Sequence, residues 1–198
     1  MAKTPVREIR LIDGDEFLQH NAFRAPSAPT IEELRQAMKK VDYFKAIYSR
    51  MHRGIVAHPV HLTSDNLHLL DGATFVFLCI DAGDAKRHIV EKLEAIDIAF
   101  IDVGMGVELN EESLGGILRV TTSTPGAREQ FRNKVSFHPV AEDDIYSTNI
   151  QVADLNALNA VFAVIKWKKL RRFYRDLEQE LHCTYTTDVN LLLSGKQS

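Results

Sequence analysis

Alternation of apolar and polar positions opens the chain. Val6-Arg7-Glu8-Ile9-Arg10-Leu11-Ile12 alternates and then meets Asp13-Gly14-Asp15, the pattern of a strand ending in an acidic turn. Asn21, Pro26, Ser27 and Pro29 mark a loop over 16–30. Thr30 stands before Ile31-Glu32-Glu33, which predicts a short helix capped by Thr30, with Glu33 closing a capping box. Val41, Phe44, Ile47, Tyr48 and Met51 share one face of a second predicted helix.

A strand within Ile55–Leu62 and a helical turn over Asp65–Asp71 follow. Thr74-Phe75-Val76-Phe77-Leu78-Cys79-Ile80 is almost uninterruptedly apolar, as in a strand buried on both faces, and it ends at Asp81-Ala82-Gly83-Asp84. Ile89, Leu93 and Ile96 give Ala85–Ile96 a helical face, and Ala99-Phe100-Ile101-Asp102-Val103 reads as the next strand, ending in a tight turn at Gly104-Met105-Gly106. Strand–helix–strand–helix–strand is the order of a Rossmann-like, mostly parallel α/β sheet. Gly116–Thr122 and Val135–Val140 are strand-like without a convincing helix between them. Ile150–Glu180 reads as one long helix, apolar nearly all round in its first half and therefore buried in the core or a subunit interface. Its second half, Lys166-Trp167-Lys168-Lys169-Leu170-Arg171-Arg172, reads as a solvated helix end, because Asp176, Glu178 and Glu180 follow closely. A last strand is expected within Cys183–Leu193. No repeat or linker divides residues 1–198, so a single domain is expected.

Composition changes this picture little. The 198 residues are 45% hydrophobic and 26% charged, which speaks against disorder. A net charge of −3 gives no global attraction to nucleic acid or an anionic membrane, and neither is expected as a partner. No apolar run approaches the roughly 18 residues of a membrane span. The start lacks the apolar core of a signal peptide, so a cytoplasmic location is expected. Two cysteines, Cys79 and Cys183, exclude a disulfide scaffold and a Cys-only zinc site. Cys79 is expected inside the buried strand, where burial raises a thiol pKa. His52, His58, His61 and His68 fit no standard metal spacing, and the serines lack a nucleophile-elbow context.

The chemistry concentrates at Asp13. In a dinucleotide-type fold an acid at the end of the second strand takes a ribose hydroxyl, about 20 residues after a glycine-rich phosphate turn. Asp13 fits the acidic role, but none of the twelve residues before it is glycine. Two readings compete: a plain strand followed by an Asp-Gly turn, which a single acid after a strand favours, and a nucleotide-binding domain that begins at its second strand, without the glycine-rich turn.

Leu11-Ile12-Asp13-Gly14-Asp15, five residues, then Asn21-Ala22-Phe23-Arg24 resembles the Asp-x-Asp…Asn-x-x-Arg block of the ThiF/MoeB/HesA family of ubiquitin-activating-enzyme-like adenylyltransferases. Lys40-Val41, Cys79-Ile80-Asp81, Asn149-Ile150-Gln151 and Asn156-Ala157-Leu158-Asn159 keep the family's order, so the resemblance covers nearly the whole chain. It implies transfer of AMP from ATP, with Mg²⁺, to the C-terminal carboxylate of a ubiquitin-like or sulfur-carrier protein. Asp13 and Asp15 would bind the nucleotide, with Asp13 on the ribose hydroxyls. Arg24 and Lys40 would face the phosphates, Asn21 would fix the loop or contact phosphate, and Asp81 would hold Mg²⁺. Ala82 stands where the family usually has Asn, and the paired Cys-x-x-Cys of zinc-bearing relatives is absent, so zinc is not expected. A homo-oligomer is expected. The alternatives are an inactive interaction or dimerisation module and, less well fitted by Arg24 and Lys40, an NAD-dependent enzyme.

Overall fold

Parallel pairing begins where the alternation predicts it. β1 (Ile9–Ile12) lies parallel to β2 (Ile55–His58), with Ile12 opposite His58. The structure is a computed structural model that describes residues 1–137 and 152–195. Between these strands run α1 (Gln19–Ala22), α2 (Ile31–Arg35) and α3 (Lys40–Tyr48). The capping box of α2 forms as expected: Glu33 N–H donates to Thr30 Oγ1 at 3.2 Å, and Thr30 N–H donates to Glu33 Oε2 at 2.8 Å. Helix α3 buries Val41 and Tyr43, while Met51, placed on its apolar face by the spacing, lies past its end and is exposed.

A 3-10 helix (Ser64–Leu70) leads to β3 (Val76–Leu78), α4 (Asp84–Ala95) and a long hairpin of β4 (Phe100–Asn110) and β5 (Ser113–Ser123). After α5 (Arg128–Arg132) and α6 (Ala153–Leu170), β6 (His182–Thr186) and β7 (Leu191–Gly195) form a second hairpin where one strand was expected. The order in the five-stranded sheet is β3-β4-β5-β6-β7. The Rossmann-like α/β architecture holds, with parallel pairing confined to β1–β2 and β3–β4 and the later strands antiparallel. Ile12 and Val76 both pack on a core of Leu78, Ile89, Leu93, Phe100 and Phe131, which joins the two sheets.

Four expectations need correction. Among the described residues β3 pairs only with β4 and is an edge strand: Val76 and Phe77 are half-buried, and Cys79 lies beyond its end and is exposed. Gly104-Met105-Gly106 is not a turn but the middle of β4, with Gly104 opposite Arg119 and Gly106 opposite Ile117. Val135–Phe137 is not a strand, and 138–140 lie outside the described residues. The long helix starts at Ala153 and ends at Leu170; 149–151, with the Asn-Ile-Gln match, also lie outside them.

The burial of α6 also departs from its pattern. Its buried residues are Asn159, Ala163 and Lys166, one face at i, i+4 and i+7, whereas Val161 and Ile165 are exposed at 51% and 37%. The basic end is therefore not simply solvated. Lys166 is buried because Asp176 and Glu180 fold back onto it. No helix among the described residues is long and apolar enough to cross a membrane.

Candidate functional site

The acidic turn after β1 is held against α3 on both of its sides. Asp13 N–H donates to His58 O at 3.3 Å, which continues the parallel ladder past Ile12. Asp13 Oδ1 accepts from Asp15 N–H at 2.7 Å and closes the turn. Phe17 N–H donates to Met38 O at 2.7 Å, and the buried Phe17 ring stacks on Tyr43 with centroids 4.2 Å apart. A Cβ at Gly14 would lie 2.5 Å from the His61 ring, so any other residue there requires that exposed imidazole to move aside.

This places Lys40, the first residue of α3, beside both carboxylates. Its ammonium donates to Asp15 Oδ2 at 2.6 Å and stands 3.9 Å from Asp13 Oδ2. Lys39 donates to Gly14 O at 2.8 Å, and His61 Nε2 lies 3.7 Å from Asp15 Oδ1. The Lys40 hydrogen bond holds the Asp15 carboxyl below its usual range against the opposing effect of burial. Asp13 is left with a part-exposed carboxylate.

Arg24 follows α1, which has one turn. Asn21 Oδ1 accepts from Leu18 N–H at 2.9 Å, so this amide fixes the turn. Arg24 Nε donates to His20 O at 3.4 Å. Burial lowers the His20 pKa, and the charges of Arg24 and Lys40 lower it further. The Arg24 carbonyl accepts from Asn156 Nδ2 of α6 at 3.2 Å. Three residues on, Asn159 Nδ2 donates to Gly104 O at 2.8 Å. The paired amides of α6 thus tie the Arg24 loop to β4.

Asp81 lies on a different loop, after β3. It is exposed and makes no ion pair among the described residues. Gly83 then turns the chain into α4 with φ +152°, a conformation that side chains rarely adopt. The loop is anchored from below. Lys86 is buried, its ammonium ion-pairs with the fully buried Asp102, and it donates to Ile80 O at 3.4 Å. Arg119 Nη2 donates to the other Asp102 oxygen at 3.3 Å. Cys79 is exposed, yet the crowding around its thiol and the Asp102 charge push it up to about 11.

Asp13, Asp15 and Lys40 thus form one group after β1, Arg24 lies on the loop that follows α1, and Asp81 stands apart after β3. The group and Asp81 both lie past the C-terminal ends of parallel strands, where open α/β sheets bind ligands. The sequence reading missed His20, His61 and the Lys86–Asp102–Arg119 cluster. Two signals pointed to that cluster. Asp102 sits in an otherwise apolar strand and needs a cation, and Lys86 falls on the face of α4 shared by Ile89, Val90 and Leu93. Among the described residues no group of three or more His, Cys, Asp or Glu could hold a metal ion.

No family model matches the sequence, and no curated protein matches it. Solved structures do resemble it. PaaA is 16% identical with a TM-score of 0.70, covering 98% of this chain and 58% of PaaA. E. coli MccB with ATP is 15% identical with a TM-score of 0.66, covering 98% of this chain and 57% of MccB, and MccB is also solved with AMPCPP and MccA. The E. coli tRNA N6-threonylcarbamoyladenosine dehydratase TcdA, in complex with ATP, is 14% identical with a TM-score of 0.52, covering 86% of this chain and 80% of TcdA. The chain therefore spans under two thirds of the length of PaaA and MccB. The likeness is one of architecture: the chain has a ThiF/MoeB-type fold.

Proposed function

We propose that this chain, built on the ThiF/MoeB-type fold, is an ATP-dependent adenylyltransferase that activates the C-terminal carboxylate of a small protein or peptide in the cytoplasm. The observation that carries the reading is the group after β1: the Asp13 carboxylate with the Lys40 ammonium 3.9 Å from it, at the ligand-binding end of parallel strands and just before the loop that bears Arg24. A ubiquitin-like or sulfur-carrier protein is the proposed substrate class, and the MccB–MccA structures support a polypeptide substrate.

In this reading the substrate carboxylate oxygen attacks the α-phosphorus of ATP. The bond from that phosphorus to the bridging oxygen breaks, and pyrophosphate leaves with the electron pair. Asp13 accepts hydrogen bonds from the ribose hydroxyls. Asn21 keeps the turn in shape for Arg24. Arg24 offers a planar fork to phosphate oxygens and to the charge growing at the reacting phosphorus, which is electrostatic catalysis. Lys40 supplies a point charge to the same phosphates on exchanging Asp15 for them. Asp15, as the resting partner of Lys40, keeps that ammonium in place. Mg²⁺, when bound, neutralises phosphate charge. A single exposed carboxylate such as Asp81 fits its needs, since this ion takes one or two carboxylates and keeps water and phosphate oxygens as its other ligands.

The test is ATP–pyrophosphate exchange with candidate carrier proteins, comparing this chain with Arg24→Ala and Asp13→Asn. Loss of about 100-fold or more in Arg24→Ala is expected. Exchange unchanged by both substitutions refutes the assigned roles.

The Lys40–Asp15 contact at 2.6 Å favours a second reading, an interaction or dimerisation module without turnover. Carrier binding without nucleotide binding or exchange would select it. A homo-oligomer is proposed on either reading, because Leu191, Leu192 and Leu193 of β7 are all exposed.

A further inference from the structure

An open cleft of about 590 Å³ lies where α6 ends, with Arg172, Tyr174, Arg175 and Gln179 exposed around its rim. It is separate from the group described above. Thr124, in its wall, follows Ser123, which pairs with the first residue of β4, Phe100. Arg171 beside it donates to Thr74 O, just before β3 starts. The cleft thus lies at the N-terminal ends of β3 and β4, and Asp81 follows the C-terminal end of β3.

Its charges do not cancel. Lys166 and Lys169 are matched by Asp176 and Glu180, with the closest pairs at 2.9 Å and 2.8 Å. Two ammonium groups against two carboxylates are neutral. Arg172 and Arg175 also line the cleft, and neither makes an ion pair among the described residues. Two guanidinium charges are left over. Tyr174, Leu170 and Leu181 add a ring and apolar wall.

The backbone at Arg172 is a second, independent observation. Arg172 N–H donates to Lys169 O at 2.9 Å and Phe173 N–H to Lys168 O at 2.9 Å, a Schellman end to α6. The left-handed position of that motif favours glycine, yet Arg172 occupies it at φ +59°. Gln179, also in the cleft wall, has φ +50°. Of the six described non-glycine residues at positive φ, Arg172 and Gln179 both border this one cleft.

We propose that this cleft binds a phosphate monoester dianion carried on a compact apolar body, with Arg172 and Arg175 as its phosphate ligands. Two unpaired guanidinium groups match a dianion in charge, and their planar forks match phosphate oxygens in geometry. Tyr174 and the leucines cover the body. The ion-paired lysines below hold the floor rigid and leave the arginines as the available cations. Arginine at the glycine-favouring position trades local stability for a ligand.

Calorimetric titration of the full chain with phenyl phosphate and with inorganic phosphate tests this. Phenyl phosphate is expected to bind saturably at one site, and inorganic phosphate about tenfold or more weakly. Arg172→Gly and Arg175→Gln should each weaken phenyl phosphate binding about tenfold or more. Arg24→Gln should leave it unchanged. Arg172→Gly should also raise Tm, because glycine suits the left-handed position, and a merely structural Arg172 would not combine a higher Tm with lost binding. The proposal is overturned by absence of saturable phenyl phosphate binding, or by unchanged binding in Arg172→Gly or Arg175→Gln. It is also overturned by loss of binding in Arg24→Gln, which would move the phosphate to the loops after β1. Equal affinity for inorganic phosphate would refute the apolar body.

Discussion

Replacing Lys86 with methionine keeps an unbranched stem in the core and removes its charge. Asp102 is fully buried, and after the substitution Arg119, at 3.3 Å, is the one cation among the described residues that ion-pairs with its carboxylate. Breaking a buried ion pair by removing one partner costs roughly 3–5 kcal/mol, because the other charge stays buried without compensation. Arg119 retains part of that compensation from a side chain that is 33% exposed, which places the expected loss near the lower bound, about 3 kcal/mol. With a urea slope of about 2 kcal/mol per M, the unfolding midpoint falls by about 1.5 M. The single tryptophan, Trp167 of α6, provides the fluorescence signal. The double variant Lys86→Met/Asp102→Leu removes both charges and is expected within about 1 kcal/mol of wild type, since well-packed apolar replacements of buried pairs are often neutral. Arg119 can then turn to solvent. A Lys86→Met loss below about 1 kcal/mol, or a double variant no better than the single one, would refute the assignment of Asp102 as a charge that depends on Lys86.

The Asp15 carboxyl is held below its usual value, so its contribution to stability is present above its unfolded pKa and is lost as pH falls through the lowered folded value; Lys40→Met should raise the Asp15 pKa in an NMR titration, and an unchanged pKa would contradict the pairing. Cys79, pushed up to about 11, stays protonated at neutral pH; its alkylation, followed by mass spectrometry, should be slower than that of a free cysteine and rise steeply only towards that value. Thr30→Ala removes the side-chain acceptor at the start of α2 and should cost about 1 kcal/mol in denaturant unfolding. Light scattering should show species larger than a monomer, and introducing charge at Leu192 and Leu193 should dissociate them; a wild-type monomer at high concentration contradicts self-association.

The parts of the fold legible in the sequence are those specified over short distances. The acidic turn after β1, the Thr30 cap and the span of α4 depend on neighbours a few residues away, and each formed where the pattern places it. α6 shows the limit. Its apolar residues suggest burial all round, yet Asn159 and Lys166 take the buried face and Val161 is exposed. Periodicity cannot register that Asp176 and Glu180 return to meet Lys166, or that Gly104 O awaits the Asn159 amide. The site divides in the same way. Asp13, Asp15 and Arg24 are close in sequence and announce themselves. Lys86, Asp102 and Arg119 come from three elements, and only their polarity among apolar neighbours marks them.

Gly104 in the middle of β4 limits how this chain can vary. A Cβ at that position would lie 2.6 Å from the Arg119 guanidinium, the group that faces Asp102. Any side chain at 104 therefore displaces a cation from a buried carboxylate, and shortening Arg119 leaves an unfilled space beside the glycine. The two positions form an epistatic pair: a substitution tolerated at one depends on which residue occupies the other. Homologous chains that carry a larger residue at 104 are expected to have lost the arginine at 119 and, with it, one of the two cations facing Asp102.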